Sequence, residues 1–323
     1  MWAALFPGQG SQSVGMGKFL FENFASAKQA FEEASDTLKQ DFKKLCFEGP
    51  ESDLQLTENT QPALLLVSTA TFRVVQETTG VKISAAAGHS VGEYAAVVTA
   101  GALSFSDALR AVRIRGQAMQ KAVPVGQGGM VAVMGLSEEQ IVKLCRWSEE
   151  NSGLKPIEPA NFNAPGQVVI SGSQKLIDWM KTNAKADIFQ PETPRMKLIP
   201  LQVSAPFHCS LMKPAEEQMR LVLSETKFND AHWPIVQNVS AQETTSAAQL
   251  RDNLVKQVSG AVLWTRCMAR LKELGATRSI EFGSGKVLSG LAKKIDSEAP
   301  TPFNINTLDE LKNLESAIKG AVH

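Results

Sequence analysis

A chain of 323 residues, 43% apolar and 20% charged, has the composition of an ordinary globular protein of one or two domains. Lys plus Arg balance Asp plus Glu at 33 each, so no global field favours nucleic acid or an anionic membrane as a partner. No apolar run reaches the roughly 18 residues of a membrane-spanning helix, and MWAALFPGQGSQ lacks the basic flank of a signal peptide, so a cytoplasmic protein is expected.

Trp2 to Phe6 predicts a short buried strand, ended by Pro7 and the glycines of GQGSQ. Ser26 and Gln29 fit a capping box, opening a helix with Ala27, Phe31, Ala34 and Leu38 on one face. A second helix is expected from Pro62, a good first-turn residue, to Gly80. Val81 to Ala87 follows as a strand, then a helix from Ser90 and another from Ser104. Gly129–Met134, Ile157–Phe162, Gln167–Ser171 and Met196–Val203 predict strands, with helices at Glu138–Trp147 and Gln174–Ala184. That order is βαββαβ, the ferredoxin-like pattern. Gly126, Gly128 and Gly129 supply a hinge at its entrance, so 126–203 is expected to be an inserted small subdomain. The larger subdomain is then 1–125 with 204–323, and further strands are expected at Ile235–Val239 and Ser279–Phe282. Strands alternating with helices argue for an α/β layer with a short, mainly parallel sheet.

Gly88-His89-Ser90-Val91-Gly92 matches G-x-S-x-G, with a strand leading in and a helix leading out. That context makes Ser90 a candidate nucleophile. The free N–H groups at the helix start, Val91 first, suit a developing oxyanion. A serine nucleophile needs a base, and the chain has four histidines. His89 adjoins Ser90 along a strand end and should point elsewhere; His323 is the last residue; His232 beside Trp233 reads as surface or packing. His208, in the loop Ser204-Ala205-Pro206-Phe207-His208, can approach the elbow, although taken alone it also fits a structural histidine. Cys46, Cys145, Cys209 and Cys267 have no CxxC pair or metal-ligand spacing and read as reduced, buried thiols. Gly283-Ser284-Gly285-Lys286 fails the P-loop pattern at Ile280 and Val287 and reads as a tight loop against the core.

FPGQGSQ, TQPA at 60–63, GHSVGE at 88–93, RGQAM at 115–119, NAPGQVVISG at 163–172, FHCSLM at 207–212 and FGSGKVLSGL at 282–291 occur in this order. The set resembles the malonyl-CoA:acyl carrier protein transacylases, the acyltransferase family of fatty-acid and polyketide synthesis, across nearly the whole chain. The resemblance implies an α/β-hydrolase-like larger subdomain with a ferredoxin-like insert, and a Ser–His dyad falling on Ser90 and His208. It implies that the backbone carbonyl of Gln257 orients His208, where Ser–His hydrolases use a carboxylate. The helix carrying Ala247, Leu250, Leu254 and Val258 should end by Gly260, leaving Gln257 in a last turn with free carbonyls. The resemblance also gives the Gln9 N–H to the oxyanion hole, opposite Val91.

Arg115 is the only charge on a helical stripe of Ala108, Ala111, Val112, Ala118, Met119 and Ala122, and a buried guanidinium needs an anion. An internal salt bridge would serve; the resemblance assigns the position to the free carboxylate of a malonyl group. Arg110 and Arg113 fall off the stripe and should be solvated. Met119 and Gln61 are expected to line the acyl site, and Phe207, directly before the base, to select malonyl over methylmalonyl. Asn161 receives no role. The expected activity is ping-pong transfer of malonyl from malonyl-CoA to the thiol of an acyl carrier protein through a Ser90 ester, in fatty-acid biosynthesis. No metal or cofactor beyond the coenzyme A thioester is expected, and the chain is taken as a monomer. A serine hydrolase (thioesterase or esterase), a trans-acting acyltransferase of a polyketide pathway and a non-catalytic scaffold are the alternatives. A buried Arg115 argues against a simple esterase.

Overall fold

A computed structural model describes residues 1–320, so His323 lies outside the described residues. Among the described residues, ten strands form two sheets. The larger contains β1 (Trp2–Phe6), β2 (Ile83–Gly88), β7 (Ile235–Val236), β8 (Glu243–Thr244), β9 (Arg278–Glu281) and β10 (Phe303–Asn304), in the order β10-β9-β1-β2-β7-β8. Every neighbouring pair is parallel except β7–β8. Alternation along β1 sends Ala4 and Phe6 into one apolar layer and Ala3 and Leu5 into the other. Helices therefore cover both faces, as a parallel sheet requires.

Register decides where chemistry can occur. Phe6 lies opposite Gly88, so the loop after β1 and the turn after β2 leave the sheet side by side. Open parallel sheets bind ligands beyond the carboxyl ends of their strands. The helix Thr57–Thr79 packs beneath this edge and is buried nearly all round, which erases the amphipathic pattern that normally marks a helix. It begins a turn before the expected Pro62, because the Leu56 carbonyl accepts from the Asn59 and Thr60 N–H groups. Pro62 is thus inside the helix, while Gly80 ends it in the left-handed conformation, as expected.

The expected capping box at Ser26 does not form. Phe24, extended, takes the cap position of the helix Ala25–Leu38, and the Ser26 hydroxyl is buried without a partner. The displacement comes from a short helix, Lys18–Asn23, that feeds directly into this one. Two strands are shorter than expected. In the first, Met196–Val203, only Lys197–Pro200 pairs. In the second, Ile235–Val239, pairing stops at Val236, after which Gln237 and Asn238 bond sideways into the core.

The smaller sheet is antiparallel, β4-β5-β3-β6, built from β3 (Gly128–Met134), β4 (Ile157–Ala164), β5 (Gln167–Ser173) and β6 (Lys197–Pro200). With the helices Glu138–Ser152 and Gln174–Asn183 it has the ferredoxin-like order. It owns a separate core around Val131, Ile141, Leu144, Ile170 and Leu176. Its edge strand β4 is tied to the larger unit by the Phe162 N–H to Val262 carbonyl bond and the Val262 N–H to Ala160 carbonyl bond.

Candidate active site

The turn after β2 is tight enough to demand both glycines. A Cβ on Gly88 would sit 2.0 Å from the Gly92 carbonyl carbon, and one on Gly92 would sit 2.1 Å from the Phe6 carbonyl oxygen. Between them Ser90 takes φ 52°, a left-handed conformation strained for a side-chain-bearing residue. Asn238 holds it there: its Oδ1 accepts the Ser90 N–H at 2.7 Å, and its Nδ2 donates to the Gly88 carbonyl at 2.7 Å. The turn opens into the helix Gly92–Thr99, whose first-turn acid, Glu93, points inward and is fully buried.

His208 reaches the turn from a distant loop, and its Nε2 lies 2.7 Å from Ser90 Oγ. Its Nδ1 faces two acceptors, the carbonyls of Gln257 at 2.9 Å and Gly260 at 3.2 Å. Nδ1 must therefore carry the proton, which leaves the Nε2 lone pair to accept from the serine hydroxyl. Gln257 is the C-cap of the helix Ala247–Lys256, where carbonyls lack helical partners. Burial pushes the His208 pKa down to about 3, and the nearby Arg115 charge adds to the effect. The imidazole is thus neutral in the unliganded site, the form a base requires.

Gln9 and Val91 both line the same cavity, and their N–H groups donate to no acceptor among the described residues. Arg115, on the helix Phe105–Ala122, is 1% exposed. It donates from Nη1 to Gln61 Oε1 at 2.8 Å, and from Nη2 to Gln257 Oε1 at 2.9 Å and Ser90 Oγ at 3.3 Å. Its Nε is buried without a partner, and among the described residues no carboxylate pairs with it. The internal salt bridge that would explain a buried arginine is absent. Met119, Met130, Asn161, Leu201, Val203 and Phe207 add further wall to a cavity of about 100 Å³. Gln61 Nε2 also contacts Met119 Sδ at 3.8 Å, so these two wall residues hold each other.

Neither of the other two histidines among the described residues bonds Ser90 Oγ. His89 Nε2 bonds Asn163 Oδ1 at 2.8 Å and its ring packs on Trp264, although the residue borders the cavity. His232 lies over Gly101, where a Cβ would be 2.5 Å from the ring. Arg113, expected in solvent, is half-buried instead: it donates to Asn59 Oδ1 at 2.7 Å and to Gln40 Oε1, and its guanidinium lies over Phe42. Arg110 is exposed beside Asp107. The helix start behind the 283–286 loop has no free Leu288 or Ser289 N–H for a phosphate, because the buried Glu281 carboxylate already accepts both. All four thiols are buried and free, with pKa values raised by burial, as in inert structural cysteines.

Sequence reasoning did not single out Asn238, Glu93, Gln237 or the Gln257 side chain. The Gln257 amide nitrogen donates to the Ser90 carbonyl at 3.0 Å and to Glu93 Oε2 at 3.1 Å. The only available signal was the glutamate closing GHSVGE, an acid in a first turn, which ordinarily reads as a solvated helix start.

A family model described as an acyl transferase domain matches residues 4–282. The malonyl CoA-acyl carrier protein transacylase of Bacillus subtilis is 44% identical over 299 residues, covering 93% of this chain and 92% of that protein. The protein of the same name from Escherichia coli K12 is 41% identical over 294 residues, covering 91% and 92%. An acyl carrier protein S-malonyltransferase from Vibrio cholerae, solved as a crystal structure, superposes with a TM-score of 0.90 at 39% identity, covering 97% of this chain and 99% of that one. A malonyl-transacylase solved in complex with a type II PKS acyl-carrier protein gives 0.90 at 39% identity, covering 98% and 99%.

Proposed function

The chain belongs to the acyl transferase domain family, and from that premise we propose how its own residues carry out malonyl transfer. The activity is transfer of a malonyl group from malonyl-CoA to an acyl carrier protein. Ser90 is the nucleophile and His208 the base. Nε2 takes the hydroxyl proton as Oγ attacks the thioester carbonyl. The negative oxygen of the tetrahedral intermediate accepts from the Gln9 and Val91 N–H groups. His208 becomes an imidazolium, which the Gln257 and Gly260 carbonyls stabilise at Nδ1. The C–S bond breaks, Nε2–H protonates the departing coenzyme A sulfur, and malonyl remains on Ser90. The carrier thiol then gives its proton to Nε2, attacks the ester carbonyl and releases Ser90 as its hydroxyl.

The observation that carries the assignment of substrate is Arg115, a buried guanidinium with neutral partners only, 3.3 Å from the nucleophile. A carboxylate held there would lie beside the reacting oxygen, as the acid end of a malonyl ester on Ser90 would. Gln61, Met119 and Phe207 wall the acyl group. Such a guanidinium gains a directly paired anion only when substrate arrives, and binding an anion there relieves the depression of the His208 pKa by Arg115. We place the protein in the cytoplasm, in fatty-acid biosynthesis, as a monomer needing no cofactor besides its thioester substrate. We also assign 126–203 to an inserted subdomain and 1–125 with 204–323 to the catalytic one.

Steady-state transfer with both substrates varied is the test. Parallel double-reciprocal lines are expected for a ping-pong route. Intersecting lines would mean direct transfer without a Ser90 ester, and coenzyme A release without transfer to the carrier would mark a hydrolase.

A further inference from the structure

We propose that the Gln257 side-chain amide is a specificity-determining spacer: it keeps Arg115 and Glu93 from pairing directly, so that the guanidinium charge is left for the substrate carboxylate. The proposal rests on the assignment of Arg115 above and concerns a different atom group from the Gln257 carbonyl that meets His208.

Arg115 and Glu93 are opposite charges, both essentially without solvent exposure, and each feels the other's field. Two such groups ordinarily close into an ion pair. Here they do not, because the amide stands between them. Gln257 Oε1 accepts from Arg115 Nη2 at 2.9 Å, while Nε2 donates to Glu93 Oε2 at 3.1 Å. The orientation of the amide is forced. Guanidinium offers only donors and the Ser90 carbonyl only an acceptor, so a flipped amide would oppose like groups at both contacts. Glu93 is satisfied from elsewhere by the Asn238 N–H at 2.8 Å and Gln237 Nε2 at 3.2 Å, which hold it in place without needing the arginine.

The arrangement stores an unpaired cation at the nucleophile while an anion within the same core limits the cost of burying it. Replacing the amide by an apolar group would leave Arg115 Nη2 without this acceptor and Glu93 Oε2 without this donor. The two would then move together, and the substrate carboxylate would compete with Glu93 for the guanidinium. A neutral acyl group would lose nothing by that movement.

The test is competition between malonyl-CoA and acetyl-CoA for acylation, scored by intact mass, in Gln257→Leu and Gln257→Met. Both variants retain the backbone carbonyl. A ratio of two substrates in one tube reads only the folded fraction, so reduced yield does not obscure it. The malonyl preference is expected to fall by roughly 30-fold to 5,000-fold, the range for truncating one partner of a buried charge pair. Adding Glu93→Gln to either variant removes the competing carboxylate and is expected to restore part of the preference, which a merely structural glutamine would not do. An unchanged ratio in both variants, or no recovery in the double variants, overturns the spacer. Arg115→Ala is run beside them. If it keeps the malonyl preference, the assignment of Arg115 has failed; if it loses the preference while the Gln257 variants keep it, only the spacer has failed.

Discussion

At the scale of single residues, His208 is the proposed base and His232 lies outside the proposed chemistry. His208→Ala is expected to slow acyl-enzyme formation by roughly 100-fold to 10,000-fold, the usual contribution of a general base, with His232→Ala near the parent rate. Rapid-quench measurement of the two variants checks the choice, and reversed results would contradict it. Phe207 borders the acyl cavity directly before the base. Its ring should exclude the extra methyl of methylmalonyl, and one methyl supports about 1–3 kcal/mol of discrimination, or roughly 10-fold to 200-fold. Phe207→Ser should narrow the ratio of the two kcat/KM values; an unchanged ratio removes Phe207 as selector. Ser90 and Arg115 were legible because each breaks a local pattern, a serine between elbow glycines and one charge on an apolar stripe. His208 lies 118 positions from Ser90, and its candidacy came from a short list of histidines and a family likeness rather than from any local signal. Asn238 and Glu93 were not legible, because a buried amide and a first-turn acid look like ordinary surface residues until the fold brings them together.

At the scale of elements, the site depends on two helices meeting without a gap. The helix Phe105–Ala122 carries Arg115, and the helix Thr57–Thr79 carries Gln61. They approach at Gly116, where a Cβ would sit 2.7 Å from both Glu58 Cα and the Thr57 carbonyl oxygen. Those contacts are backbone and cannot swing aside. Gly116→Ala should therefore separate the helices, costing about 1–3 kcal/mol. Thermal melting together with malonyl transfer tests this, and both should fall; an unchanged Tm would show that the helices part freely. Strand and helix order was readable from periodicity and from Gly80 and Gly260. Boundaries failed where tertiary structure overrode local signals. Pro62 looks like a helix start, but an earlier turn nucleates on Leu56. Ser26 looks like a cap, but the preceding helix leaves it no exposed N–H to receive.

For the whole molecule, the pH dependence of stability follows from groups buried in unfavourable charge states. The folded pKa of His208 is about 3 and that of His89 is also lowered by burial, both below the ordinary 6.5 of the unfolded chain. As pH falls below about 6.5 the unfolded state takes up protons that the native state refuses, so stability is lost. Glu93 acts in the opposite sense: its folded pKa is raised from 4.5 to about 7, so protonation favours the native state in that window. Between about pH 7 and about pH 5 the parent Tm should therefore fall relative to that of His208→Gln, which lacks the His208 contribution. An equal change in the variant would remove His208 as a cause. The two-sheet architecture was legible because each sheet carries its own strand–helix order, parallel alternation outside and βαββαβ inside 126–203.

The central claim is that malonyl passes through an ester on Ser90. Intact-mass spectrometry after adding malonyl-CoA without carrier protein, followed by peptide mapping, tests it most directly. One malonyl adduct is expected on the peptide containing Ser90, discharged by holo-acyl carrier protein and absent in Ser90→Ala. Undiminished labelling of Ser90→Ala, or an adduct that the carrier thiol cannot remove, would contradict it.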